Sequence, residues 1–466
     1  MFFPRSVLLE ATRQALQSAE ALSDGVASTR ESILMALDLM LAVEDPASGH
    51  AASWVGRMPA VLASHAADPQ PTDESAEDTL KRLEHLIFER PAVDAAQRGH
   101  KELCLALCDW ESGLLSGVIG HADNTQPGAA DVLSGDRWEA YLRERFADPQ
   151  LRLSAFRTLP GGFGKQTFLF SVEGASLSGD FVLRRDMAEP MLRHGCHRVD
   201  REFELIRAVL RHGFPAPDAL WLDTGHAGLP GGDFFVMRRS PGSPGGSVFS
   251  ASGQVPDDLV ETLAGVLARL HGLPRLKELR GAIDPALWER SRAQCTRQYI
   301  ETWLGVLRQD VHLPSPSIAG LLGWLLANVP ESDEPPVLLH GDIGFHNFLF
   351  HEGSLSTVLD WEFSHVGDPA EDLAYVRNTL GEAIDWNAFM SAYVAHGGRP
   401  VDRERLRYFQ VWGHVRNACS ASIAAAKLAE GRVKDLKLVL LPFAYVPHFL
   451  RAAARALAQE DPHDGQ

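Results

Sequence analysis

Five short apolar or alternating runs follow one another between residues 151 and 239: Leu151–Thr158, Thr167–Val172, Asp180–Arg185, Ala219–Leu222 and Asp233–Arg239. Turn residues separate them, so they read as strands. A single helical pattern, Arg198–Arg211, interrupts the series between the third and the fourth. A doubly wound parallel sheet needs repeated strand–helix–strand units, and the order here does not supply them. On either side the apolar spacing is helical. Residues 1–118 carry apolar residues three and four apart, for example Ile33, Leu34, Leu37, Met40 and Leu41, apart from a polar, loop-like stretch near 65–77. Beyond residue 253 the pattern is helical again except for two short strands, Asn347–Phe350 and Ser356–Leu359. Gly117–Gly135 and Pro241–Gly253 have the composition of connections. The predicted fold class is therefore α+β: a helical module over 1–130, a five-stranded lobe over 131–240 and a helical lobe over 241–466. No repeat of fixed period is present.

Composition narrows the partners. With 45% hydrophobic and 23% charged residues, a chain of 466 residues can bury large cores, which excludes disorder along its whole length. The formal charge is −17, and residues 1–150 carry −12 of it. Such a surface disfavours nucleic acid and anionic membranes. No window of 18 apolar residues offers a membrane span, and Met1–Arg5 makes a poor secretion signal. Five scattered cysteines (Cys104, Cys108, Cys196, Cys295, Cys419) read as reduced thiols, so a cytoplasmic protein is expected.

The chemistry concentrates in Val337–Tyr375, VLLHGDIGFHNFLFHEGSLSTVLDWEFSHVGDPAEDLAY. Glu352-Gly353 lies between two short apolar runs, so Asp342, Asn347 and Asp360 gather around a hairpin-like turn. Two carboxylates and an amide are hard oxygen ligands of the kind Mg²⁺ takes, usually while bridging phosphates. One acid then remains to orient an attacking hydroxyl. An isolated His-Gly-Asp carries little meaning. Its occurrence with Asn347, Asp360 and Glu362 at these spacings carries much more.

The string H-G-D-x-x-x-x-N, with the Asp of L-D-W-E 13 residues after the Asn, resembles the catalytic core of the aminoglycoside phosphotransferase family. That family includes choline kinase-like and homoserine kinase-like enzymes and shares the two-lobed protein-kinase architecture. The strings are similar above all to those of phosphotransferase domains associated with acyl-CoA dehydrogenases. The resemblance covers roughly residues 131–455 and is stronger in the C-lobe than in the N-lobe. It implies an ATP- and Mg²⁺-dependent kinase of a small-molecule hydroxyl. Asp342 would be the catalytic acid/base, Asn347 and Asp360 would ligate Mg²⁺, and Glu362 would hold a second ion or a water of the first. His340 would support the catalytic loop from behind, and Asp372 would hydrogen-bond back to that loop from the following helix. Phosphoryl transfer needs mainly positioning and charge neutralisation, which such parts supply.

The resemblance extends to the five-stranded lobe. Gly161-Gly162-Phe163-Gly164-Lys165 lies between the first two strands, where backbone N–H groups can cradle phosphates. Lys165 could reach a phosphate or could be a solvated turn lysine. The third strand should present a cation to the phosphates. Strand alternation puts Arg184 on the face of Val182, so Arg184 is chosen over Arg185; it replaces the usual Lys but binds phosphate in bidentate fashion. Glu202, within Arg201-Glu202-Phe203, is the expected partner of that cation. Phe234–Arg239 resembles the hinge between the lobes, with the backbone around Val236 and Arg238 meeting adenine, although Phe235 and Met237 also suit plain strand core.

Other residues read more weakly. His100, Cys104 and Cys108 share one helix face, but no fourth zinc ligand is evident. His346, His351 and His365 flank the catalytic strings. Tyr408, Trp412, His414 and Arg416 lie on one long helix that could clamp a flat or anionic substrate, with core packing the stronger reading for the two aromatics. Residues 257–430 hold no block of acids to receive a polycationic antibiotic. The acceptor implied by the resemblance is a hydroxyacyl-CoA or related catabolic alcohol. An antibiotic kinase, a choline- or homoserine-type kinase and a non-catalytic nucleotide-binding scaffold stand as alternatives. A protein kinase is disfavoured, since neither D-F-G nor A-P-E occurs. The acidic helical module has no recognised counterpart and could cover the lobes, pair two subunits or dock a partner enzyme.

Overall fold

The computed structural model describes residues 133–159, 165–187, 195–225, 232–245, 255–276, 281–309, 312–430 and 445–458, with isolated positions elsewhere. The chain divides into two compact units. One comprises residues 1–127, 297–330 and 407–466, the other residues 128–296 and 331–406. Most of the expected acidic module, the glycines of the 161–164 turn and His100 lie outside the described residues.

The second unit begins with helix α1 (Gly135–Arg145), whose first turn is capped by Ser134 Oγ accepting from Arg137 N. Five strands follow: β1 (Arg152–Leu159), β2 (Lys165–Glu173), β3 (Gly179–Asp186), β4 (Ala219–Asp223) and β5 (Phe234–Arg238). They form one antiparallel sheet in the order β1-β2-β3-β5-β4. Helix α2 (Val199–Arg211) interrupts the series between β3 and β4, where the sequence places its single helical pattern. Both sheet faces are covered. Val182, Phe235 and Met237 join Phe203, Ile206 and Val209 of α2 in one core. Phe181, Leu183, Phe234 and Val236 join Trp138 and Leu142 of α1 in another. The Trp138 ring meets Phe170 and Phe234 edge-on, each at 5.3 Å between centroids. Two buried faces explain why β5 reads as a near-continuous apolar run.

After β6 (Ser243–Pro244) come α3 (Asp257–His271), α4 (Arg292–Gln309) and α5 (Pro316–Ala327). The motif region then folds into β7 (Val337–Leu339), β8 (Phe348–His351), β9 (Ser354–Val358) and β10 (His365–Gly367). β8 and β9 are the predicted hairpin, displaced by one or two residues, and turn at Glu352 (φ 49°) and Gly353 (φ 78°). Two successive positive φ values match the right-handed twist of a tight hairpin. β6 adds to β8, and β7 pairs antiparallel with β10. These three strands are too short to show alternation, so their sequence carries no strand signal. Helices α6 (Ala370–Leu380), α7 (Trp386–Ala395), α8 (Arg403–Ala429) and α9 (Val446–Ala458) complete the described elements.

In the first unit, the N-terminus of α5 is closed by side chains from the acidic module. Ser315 Oγ accepts from Ile318 N at 3.1 Å, Glu84 Oε1 accepts from Ser315 N at 2.9 Å and Glu111 Oε2 accepts from Ser317 N at 2.9 Å. These satisfy backbone donors that a helix start leaves without partners. Tyr408 and Trp412 are core residues: Tyr408 donates to Leu325 O, and Trp412 packs edge-on against Tyr299 and Trp303. His414 and Arg416 are also in this unit, Arg416 fully buried and His414 held near pKa 4, chiefly by burial. Cys104 and Cys108 are fully buried. Among the described residues no group of three His, Cys, Asp or Glu side chains is arranged to hold a metal, and no helix is long and apolar enough to cross a membrane.

Candidate active site

The catalytic loop is built on a buried scaffold. Gly341 adopts φ 78°, and a Cβ there would lie 2.5 Å from Phe363 O, so only glycine fits. Asp372, fully buried on α6, accepts from His340 N at 2.9 Å and from Gly341 N at 2.8 Å. His271 of α3 stands 3.3 Å from the same carboxylate, and its other ring nitrogen lies 2.8 Å from the Tyr393 hydroxyl on α7. Burial acts to raise the Asp372 pKa, but the His271 bond and the loop's N–H groups bring it below the usual value. His340 Nδ1 accepts from Asp342 N at 3.3 Å, so its Nε2–H donates to Leu359 O at 2.9 Å. Burial holds this imidazole neutral and lowers its pKa. His340 thus ties the loop to the segment leading to Asp360.

Asp342 receives donors on both oxygens. Tyr375 donates its hydroxyl to Oδ1, and Asn347 Nδ2 donates to Oδ2 at 3.2 Å and to the Asp342 carbonyl at 2.8 Å. His346 Nε2 stands 3.6 Å from Oδ2. Burial works to raise the Asp342 pKa. The His346 imidazole close to Oδ2 and the Tyr375 hydrogen bond outweigh it and lower the pKa, so the carboxylate is ionised. With the nitrogen of its side chain committed to Asp342, Asn347 has its amide oxygen left as an acceptor, and its own carbonyl accepts from Leu359 N at 2.7 Å. Asp360 follows in the left-handed region at φ 63°, a conformation uncommon for non-glycine residues and adopted more readily by Asp and Asn than by most.

The second half of the site is a charged cluster. Arg184 Nε donates to Glu202 Oε2 at 2.9 Å, its Nη2 bonds Asp360 Oδ1, and Glu362 Oε2 lies 3.7 Å away. Arg185, on the other sheet face, bonds Gln166 and lies over the Phe168 ring, so Arg184 is the residue brought to the cluster. Lys165 is not a solvated turn residue. Its side chain is 2% exposed, bonds the His197 carbonyl and stands 3.5 Å from both Asp186 and Glu362. Asp186 also accepts from Val199 N, at the first turn of α2. Burial raises the pKa of Glu202 and of Asp186, and burial together with Asp360 pushes Glu362 up to about 7.

Four carboxylates therefore face two cations, and Glu362 Oε2 is buried with no hydrogen-bond partner. An oxygen-only donor set with surplus negative charge and an unsatisfied oxygen fits a hard divalent cation. Arg184 lies between Asp360 and Glu362.

Val236 and Arg238 are not brought to this cluster. Val236 is fully buried in the core on the other sheet face, in a strand paired on both sides. Arg238 N donates to Asp218 O at 2.9 Å, and its side chain points to Asp218 in solvent. A strand in the middle of a sheet spends its N–H groups on its neighbours, and within β5 the N–H groups at these two positions face β3 or the segment leading into β4. Phe235 and Met237 are strand core. Gly161, Gly162 and Gly164 lie outside the described residues. His351 is exposed beside Glu352, while His365 lies 3.2 Å from Glu371. Sequence reasoning missed Tyr375, His271, Tyr393 and Asp186. For Tyr375 a signal existed: Asp372 and Tyr375 are three apart, on one helix face.

The model of the phosphotransferase enzyme family matches residues 155–409. Acyl-CoA dehydrogenase family member 11 of Gallus gallus is 30% identical over 287 residues, covering 56% of this chain and 35% of that protein. The Homo sapiens protein of that name is 32% identical over 275 residues, covering 56% and 33%. The chain thus spans about a third of these relatives' length. Aminoglycoside 3'-phosphotransferase of Escherichia coli is 26% identical over 222 residues, 42% of this chain and 70% of that protein. A solved structure from Ralstonia eutropha, assigned to the aminoglycoside phosphotransferases, superposes with a TM-score of 0.50 at 17% identity. It covers 70% of this chain and 98% of its own, a likeness of fold.

Proposed function

The chain belongs to the phosphotransferase enzyme family, and we propose that it is a small-molecule kinase that transfers the γ-phosphoryl group of ATP to a small-molecule hydroxyl at Asp342. The observation that carries this reading is an ionised Asp342 joined through Asn347 to the segment that bears Asp360, with Arg184 and Glu202 opposite. Asp342 accepts the hydrogen bond of the acceptor hydroxyl and takes its proton as the new O–P bond forms. Arg184, oriented by Glu202, meets the nucleotide phosphates in place of the usual lysine, with Lys165 as a second cation. Asn347, Asp360 and Glu362 would hold Mg²⁺, which neutralises charge on the phosphates when bound. His340 holds the loop in register. In this reading 131–240 is the nucleotide-binding lobe and 241–466 carries the catalytic loop and the acceptor pocket. The helical module 1–130 would serve pairing of subunits or docking of a partner enzyme, in the cytoplasm.

The acceptor class we favour is a hydroxyacyl-CoA or related catabolic alcohol, supported by identity with the segment shared with acyl-CoA dehydrogenase family member 11. An antibiotic acceptor is the second reading, favoured by the likeness to aminoglycoside 3'-phosphotransferase over 70% of its length. Purified protein, Mg·ATP and a panel of hydroxyacyl-CoAs, amino alcohols and antibiotics, read by mass for added phosphate, separates them. Asp342→Asn should lower transfer to the accepted compound by about 10²–10⁴-fold while ATP still binds. An equally active Asp342→Asn protein would refute the role of Asp342. ATP binding with no acceptor phosphorylated across a broad panel would favour a scaffold.

A further inference from the structure

Tyr375 comes to the site from a helix rather than from the catalytic loop. It sits on α6, three residues after Asp372, so both side chains face the catalytic loop. Asp372 clamps the loop's backbone, whereas Tyr375 reaches the reacting carboxylate itself. It is 7% exposed and part of the main core. Packing alone would be served by phenylalanine there; the hydroxyl is the added feature, and it is spent on Asp342 Oδ1.

The groups facing Asp342 are Tyr375, Asn347, His346 and, behind the loop, His340. Asn347 is anchored a second time on the Asp342 carbonyl, and His346 stands beyond hydrogen-bond length. Of the donors within bonding distance of the carboxylate, Tyr375 presents the same chemical group that an acceptor must bring: a hydroxyl with its proton directed at a carboxylate oxygen. Given the phosphotransferase reading of the site, on which this rests, we propose that Tyr375 is a positioning residue whose hydroxyl holds the acceptor's place on Asp342 until an acceptor displaces it, keeping water from being activated there.

The physical reason is that an ionised, part-buried carboxylate left short of donors recruits water. A water on Asp342 beside bound ATP is itself an acceptor. Its oxygen attacks the γ-phosphorus, the bond from that phosphorus to the β,γ-bridging oxygen breaks, and the water proton passes to Asp342, giving ADP and inorganic phosphate. Excluding such water is one way a kinase avoids futile hydrolysis. The phenol fills the place with a group that, unlike water, is attached to a packed helix.

The test needs no knowledge of the acceptor. ADP release from Mg·ATP is measured without acceptor for the wild-type chain, Tyr375→Phe, Tyr375→Leu and the double variant Tyr375→Phe/Asp342→Asn. Thermal melting reports folding and calorimetry reports Mg·ATP affinity. The expected result is that Tyr375→Phe binds Mg·ATP as the wild type does but hydrolyses it about tenfold faster, and that removing the base in the double variant abolishes the gain. Tyr375→Leu, with more space opened, should gain at least as much. A residue that only packs would leave hydrolysis unchanged or lower it with stability. Hydrolysis that does not rise in either folded, nucleotide-binding single variant overturns the role of Tyr375 while leaving the kinase reading intact. A wild-type chain that binds no Mg·ATP overturns both.

Discussion

Glu111 should make the helical unit less stable as pH rises through neutrality. Its side chain is 1% exposed and Oε2 accepts from Ser317 N. Burial, outweighing the hydrogen bonds from Ser315 and Ser317 and helped by the charge of Glu84, lifts its pKa from 4.5 to about 7. The folded chain therefore binds a proton that the unfolded chain has lost between about pH 4.5 and 7. The unfolded state binds fewer protons there, so stability falls with rising pH across that window. At about 1.4 kcal/mol per pKa unit, the shift is worth on the order of 3 kcal/mol above pH 7. Glu111→Gln cannot ionise, and its amide oxygen can still accept from Ser317 N. Urea unfolding followed by circular dichroism, at pH 5 and pH 8, measures the effect. At pH 5 the two proteins should differ little; at pH 8 the variant should be more stable by up to about 3 kcal/mol. Titrations elsewhere cancel in the difference taken at each pH. A difference that stays the same at both pH values, or a variant less stable at pH 8, refutes the reasoning.

Gly341→Ala forces a Cβ to within 2.5 Å of the Phe363 carbonyl oxygen at φ 78°. The left-handed conformation alone costs about 1–2 kcal/mol, and the loop bearing Asp342 must move. A drop in melting temperature together with a fall in turnover exceeding that in ATP affinity is expected; a variant turning over like the wild type argues against a rigid loop. Arg184→Ala strands Glu202, 1% exposed, without the guanidinium it bonds. The expected loss is about 3–5 kcal/mol together with nucleotide affinity. Arg184→Lys keeps the charge without the fork and should retain part of both in calorimetry. If both variants bind Mg·ATP like the wild type, Lys165 is the phosphate cation.

Much of the five-stranded lobe is legible along the chain because strands, turns and an amphipathic helix are written in local periodicity. Arg184 could be separated from Arg185 by alternation, since a strand sends neighbours to opposite faces and only one face meets α2. Local logic does not reach the backbone of Val236 and Arg238. Whether a strand's backbone is free depends on its neighbours, and β5 has one on each side. β7 and β10 were illegible because three residues cannot establish a period. Lys165 read equally well as solvated or functional, and burial against Asp186 and Glu362 is a property of the folded surroundings alone.

By itself the sequence named the candidates for the chemistry: Asp342, Asn347, Asp360 and Glu362 around one hairpin, with the cation and acid of the third strand and the inserted helix, their roles implied by the resemblance to the aminoglycoside phosphotransferase family. Only the grouping around the hairpin follows from short-range geometry, which a few neighbouring residues dictate. The tertiary structure decided how that chemistry is held. Tyr375 lies 33 residues from the aspartate it bonds, Asp360 lies 176 from Arg184, and Glu84 lies 231 from the Ser315 amide it accepts from. Such partners meet only when packing of distant apolar faces brings their elements together. The desolvation that lifts Glu362 and Glu111 to about 7 arises in the same event. The acidic module shows the division most plainly: its charge is evident in composition, but that two of its carboxylates close the start of α5 is decided by the fold.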